Sequence, residues 1–104
     1  MDRREQFKRW LQNVKAKKSG RSISEKAIEN YLRNIHRVSD AMYETGVISK
    51  RLYSMRSTEE VKEAVKAIQK DRTYLTMNTQ YENMCQKAIQ YYMKFTQEIN
   101  EQEG

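Results

Sequence analysis

Apolar residues recur along this chain at helical spacing, and polar residues fill the faces between them. Phe7, Trp10, Leu11 and Val14 follow the i, i+3, i+4, i+7 rule of one helix face. The run closes at Lys17-Lys18-Ser19-Gly20-Arg21-Ser22, where Gly20 suits a helix stop. Ser22 with Glu25 has the spacing of a capping box, opening a second helix that carries Ile28, Tyr31, Leu32, Ile35, Val38 and Met42 before Gly46 ends it. Residues 47–56 lose the period, so Val47, Ile48, Leu52 and Tyr53 are expected to plug the core from a loop or short turn. Ser57 with Glu60 repeats the capping pattern ahead of Val61, Ala64, Val65 and Ile68. Residues 72–79, rich in Thr and Asn, read as a connection. A last stripe of Tyr81, Met84, Cys85, Ala88, Ile89, Tyr92, Phe95 and Ile99 completes the pattern. The spacing therefore predicts four helices, over approximately 2–18, 23–45, 58–71 and 79–101. The expected fold class is all-α, a compact four-helix bundle forming one domain across 1–104.

Composition narrows the chemistry. In 104 residues there is no proline, one cysteine and one histidine. One cysteine cannot make an internal disulfide, and one Cys with one His falls short of a structural zinc site. Apolar residues make up 38% and charged ones 33%, with ten aromatics, which is lean but sufficient for a core. No apolar run approaches the roughly 18 residues that cross a bilayer, so no membrane partner is expected. Met1-Asp2-Arg3-Arg4 leads into an amphipathic pattern and not an apolar leader, and the expected location is the cytoplasm. No phosphate-cradling Gly-rich loop, paired-carboxylate site or metal spacing is present, so neither catalysis nor a cofactor is expected.

Charge then gives the chain a direction. The net charge is +6, yet residues 1–37 alone carry eleven Lys and Arg against four Asp and Glu, a balance of +7. On an α-helical wheel, Lys26, Asn30, Arg33 and Arg37 fall inside an arc of roughly 60°, while the apolar residues of the same helix occupy the opposite side. No acid lies inside that arc, whereas a face serving solubility alone would interleave acids as i, i+4 partners. Lys62, Lys66 and Lys70 show that alternative, with Glu59 and Glu63 at pairing distance. Ahead of the basic helix, Lys15, Lys17, Lys18 and Arg21 surround small residues, including Ser22, that leave room for a phosphate. Lys and Arg neutralise phosphates, and Arg and Asn also read base edges. The candidate DNA-binding set is therefore Lys15, Lys17, Lys18, Arg21, Ser22, Lys26, Asn30, Arg33 and Arg37, with double-stranded DNA as the expected partner.

Other reactive side chains have plainer readings. Tyr31, Tyr81 and Tyr92 sit on apolar faces and are expected to pack with their hydroxyls at the rim. Tyr43, Tyr53 and Tyr91 are less constrained, and one could stack on a base or sugar. His36 reads as a partly buried residue at the edge of the core stripe. Cys85 reads as a small apolar core residue.

Phe7-x-x-Trp10-Leu11, a basic Ser/Gly loop, and Ser24-Glu25-Lys26-x-Ile28-x-x-Tyr31-x-x-x-Ile35 together resemble the start of the SAM-like core-binding domain of phage integrases and other tyrosine recombinases. Asn78-x-x-x-x-Asn83-Met84-x-x-x-Ala88-Ile89-x-x-Tyr92-x-x-Phe95 is similar to the integrase-like N-terminal domains that precede nuclease or GTPase parts in some HNH and McrB-like restriction proteins. The resemblance implies a four-helix DNA clamp without the recombinase's catalytic domain. It also implies a phage, mobile-element or restriction setting, with a fused or associated nuclease, GTPase or recombinase domain. A second reading is a small helical regulator or inhibitor whose basic surface docks on an acidic protein or on a DNA-binding partner.

Overall fold

A computed structural model of the chain describes residues 2–14, 20 and 22–103. Asp2 starts the first helix, its carboxylate accepting from the Glu5 amide at 2.8 Å. Helix α1 covers Arg3–Asn13 and buries Arg3, Phe7 and Leu11. It stops well short of residue 18. Val14 is already extended, and its N–H closes the last turn onto the Leu11 carbonyl. Arg3 is an addition to the expected core: its guanidinium lies 4.9 Å from the centre of the Phe95 ring, and Nη1 donates to Gln6 Oε1 at 3.3 Å.

Helix α2, Glu25–Glu44, is capped by Ser24 and not by the expected Ser22–Glu25 pair. The Ser24 hydroxyl accepts from the Ala27 amide at 3.2 Å. The helix buries Ile28, Leu32, Ile35, Val38 and Met42, together with Asn34 and Ser39. Gly46 ends the helix as expected, in the left-handed region at φ +81°. Beyond it, the Val47 and Ile48 amides both donate to the Met42 carbonyl.

The aperiodic stretch plugs the core as expected. Ile48, Leu52 and Met55 are buried, and Leu52–Ser54 forms one 3-10 turn. Two hydrogen bonds pin it. The Leu52 amide donates to Ser39 Oγ at 2.9 Å, and the Tyr92 hydroxyl donates to the Leu52 carbonyl at 2.8 Å. Helix α3, Thr58–Lys70, starts at the expected Ser57 cap and buries the expected Val61, Ala64, Val65 and Ile68.

The largest departure follows. Residues 72–79 are not a connection but most of a helix, α4, Arg72–Gln80. Asp71 both closes α3 and opens α4, accepting from the Tyr74 amide at 2.9 Å. The final helix, α5, begins at Met84 and runs to Glu103, so Tyr81 belongs to the preceding turn. Glu82 and Asn83 turn the chain there with φ of 54° and 66°. The protein is thus all-helical among its described residues, with five α-helices where four are expected. Helix α5 packs along α2 and α3, and α1 lies across α2 and α5. A radius of gyration of 13.2 Å matches a compact chain of this length.

Candidate nucleic-acid interface

The phase of α2 decides what the basic stripe can reach. With Ile28, Leu32 and Ile35 buried, Lys26 and Arg33 stand exposed, while Asn30 and Arg37 are half-buried. The half-burial of Arg37 comes from the turn between α4 and α5. Its guanidinium carbon lies 3.8 Å from the centre of the Tyr81 ring, and Nη1 donates to Asn34 Oδ1 at 3.0 Å. Asn34, itself buried, donates through Nδ2 to the Asn30 carbonyl at 2.8 Å and receives the Cys85 thiol at 3.4 Å. Arg37 is therefore built into a wall, and the stripe leans towards α4 on one side.

Three shallow depressions meet along that side. The first is lined by Asn30, Arg33, Arg37 and Glu82. The second takes Arg37, Arg72, Thr73 and Thr76, and the third Arg72, Leu75, Thr76 and Thr79. Gln80 lines all three, Arg37 the first two and Arg72 the last two, so they adjoin as a shallow trough whose first two parts lie beside α2 and whose third is lined by α4 alone. Its ionisable lining is three arginines and one glutamate, surrounded by hydroxyl and amide groups. Arg33 and Arg72 are exposed, and among the described residues neither is within ion-pair distance of a carboxylate.

Four other cations are matched by carboxylates, whereas several, Arg4, Arg9, Lys26 and Lys62 among them, have no ion pair among the described residues. Lys8 lies 3.7 Å from Glu29, Lys50 2.9 Å from Glu60, and Arg51 2.8 Å from Asp40. Arg51's hydrogen bond holds the Asp40 carboxyl below the usual range, against a smaller opposing effect of desolvation. His36 also reaches Asp40, at 3.1 Å, and is exposed and not partly buried as expected. On α3, Lys66 reaches Glu63 only at 4.0 Å, and Lys62 and Lys70 make no ion pair among the described residues, so the pairing expected there is loose at most.

Of the candidate residues, the trough gathers Asn30, Arg33 and Arg37. Lys26 is exposed on α2 but outside the trough lining, and Ser22 is exposed ahead of the helix. Lys15, Lys17, Lys18 and Arg21 lie outside the described residues. Arg72, Thr73 and Thr76 are residues the sequence reading misses because it takes 72–79 for a connection, and Gln80, placed at the start of the last expected helix, belongs instead to the end of α4. The available signal is Asp71 as a cap followed by Tyr74, Met77 and Tyr81 at helical spacing.

The tyrosines and the thiol are occupied. Tyr92 is fully buried, with its hydroxyl inside the core and not at the rim. Tyr31 packs against Tyr91 with ring centres 5.1 Å apart. Tyr43 is 41% exposed, and the Arg51 guanidinium lies 4.5 Å from its ring centre. Burial pushes the Cys85 thiol up, as for an apolar core residue. Among the described residues, no three His, Cys, Asp or Glu side chains come together to hold a metal. No helix among them is long and apolar enough to cross a membrane.

No family model, no curated protein and no solved structure matches this chain.

Proposed function

We propose that this chain is a non-catalytic DNA-binding domain that seats the phosphate backbone of duplex DNA in the trough between α2 and α4. One observation carries the reading: Arg37 and Arg72, from two helices far apart in sequence, line one depression, Arg33 joins Arg37 in the adjoining one, and Glu82 is the single acid of the two. Arginine and hydroxyl groups are the usual donors to phosphate oxygens. The ring at the trough, Tyr81, is covered by Arg37, so a stacking platform for unpaired bases is not on offer there. Backbone contact with a duplex fits such a surface better than single-strand binding. Lys26 extends it, and Lys15, Lys17, Lys18, Arg21 and Ser22 supply further phosphate contacts in this reading. The resemblance to integrase core-binding domains points the same way.

The test is fluorescence anisotropy with a random-sequence duplex. Arg33→Ala with Arg72→Ala is expected to weaken binding by roughly tenfold or more and to make the salt dependence shallower by about two charges. Helical content should stay at the wild-type value, since both side chains are exposed. Equal affinities for the variant and the wild type would overturn the reading. Arg37 is left intact in this test because of its structural contact with Tyr81.

A second reading, a regulator that docks on a protein, draws on Leu75. It is 50% exposed on α4 at the end of the trough, where an apolar contact would add to charge contacts with an acidic partner. Leu75→Ser leaves DNA affinity unchanged if the duplex is the ligand. It weakens capture of an acidic partner protein if that is.

A further inference from the structure

A second depression shares no lining residue with the trough and has the opposite charge. Its apolar side lies where the segment after α2 meets α3: half-buried Val47 and exposed Ala67 reach the surface, over the buried Ile48, Met55 and Ala64. Glu59 and Glu63, one helical turn apart on α3, stand along its edge, both exposed. A third carboxylate, Glu60, also lines it but is held by Lys50 at 2.9 Å, which lowers its pKa below the usual range. Glu63 has only the loose 4.0 Å contact with Lys66, both side chains being at least 70% exposed. Glu59 makes no ion pair among the described residues. A chain of net charge +6 thus places two lightly compensated carboxylates beside an aliphatic surface.

From this pairing we infer that the groove between the 47–55 segment and α3 docks a cationic amphipathic segment of another protein. An aliphatic side chain of that segment rests against Val47 and Ala67, and flanking Lys or Arg residues meet Glu59 and Glu63. Charge complementarity selects this occupant: an acidic or neutral peptide gains no attraction from the edge, and a nucleic acid is repelled by it. The exposed residues of α1, including Arg4, Arg9 and Gln12, offer charge without an aliphatic anchor, so the basic end of a second copy fits less well.

The probe is a synthetic leucine–lysine amphipathic helix peptide, with a leucine–glutamate peptide of the same pattern as its control. In an NMR amide titration of the full chain, the cationic peptide is expected to shift Val47, Ile48, Ala64 and their neighbours. Glu59→Gln with Glu63→Gln should weaken it by about tenfold, with helical content preserved because both residues are exposed. The overall positive charge makes the test demanding, since it repels the probe everywhere except at a genuine acidic site. Four results overturn the inference: no shifts, shifts at unrelated residues, equal binding of the leucine–glutamate peptide, or an affinity unmoved by the double substitution. A fifth is concentration-dependent shifting of the same residues without peptide, which assigns the groove to a second copy instead. None of these results bears on DNA binding at the trough.

Discussion

The Arg37 guanidinium carbon lies 3.8 Å above the Tyr81 ring, joining the middle of α2 to the turn between α4 and α5. Arg37 also donates to the buried Asn34, so one face of the guanidinium is fixed by the ring and one edge by an amide. A cation on a partly desolvated aromatic face contributes about 1 kcal/mol. Tyr81→Leu is therefore expected to lower stability by about that amount, read as a lower urea midpoint with an unchanged slope. A wild-type midpoint in that variant would show that the stack contributes nothing.

Glu82 occupies the left-handed region at φ 54° and is the one acid lining the trough. A non-glycine residue there costs roughly 1 kcal/mol, part of which glycine returns through its freer unfolded chain. Glu82→Gly is expected to raise stability by about 0.5 kcal/mol, whereas Glu82→Gln leaves it unchanged. Both should tighten duplex binding several-fold, because both remove the same negative charge. If only the glycine variant gains affinity, backbone shape and not charge governs the site.

Asn78 ties α4 to α5. Its Oδ1 accepts from the Gln86 amide at 2.9 Å, serving the first turn of α5, and its Nδ2 donates to Asn83 Oδ1 at 3.2 Å. Asn78→Ala should cost about 1–2 kcal/mol, the range for losing a cap. Asn78→Asp keeps the acceptor at a helix N-terminus and is expected to recover most of that loss. Thermal unfolding of the three proteins gives the order wild type, Asp, Ala; an Ala variant as stable as wild type refutes the cap.

Alkaline pH should unfold the protein through its tyrosines. Burial pushes the Tyr74 hydroxyl up to about 12, and Tyr53 and Tyr92 also move upward, chiefly through burial. Unfolded tyrosines titrate near pH ~10. Keeping these hydroxyls neutral therefore adds stability that is fully present below that pH and is lost as pH rises through the folded values. Tyrosinate absorbance from the buried rings is expected to appear together with loss of helical signal. Ionisation of all seven tyrosines with the helices intact contradicts this.

How much of this was legible in the sequence varies with how each element is held. Helix α3 starts at the cap its sequence displays, Ser57, and its four buried residues keep a clean period. Two serines compete to start α2. Ser22 has the better local pattern, yet Ser24 forms the cap, two residues further on. Helix α4 escapes notice because Thr-rich sequence is a poor helix signal and because it fully buries Tyr74 alone. With it go Arg72, Thr73 and Thr76. The basic stripe on α2 is legible because it depends only on helical phase; its second wall is not, because that depends on how a turn packs against Arg37.

The single buried anchor of α4 has a consequence for behaviour in solution. A nine-residue helix holding on by Tyr74, with half-buried Met77 beside it, draws little cohesion from the core. Such an element opens locally at a small fraction of the global unfolding cost. Its amides should exchange with deuterated solvent well before those of α2 or α5. The trough thus pairs a rigid jaw with an adjustable one: α2 holds Arg33 in a fixed frame, while Arg72 rides on a helix able to settle against whatever surface it meets.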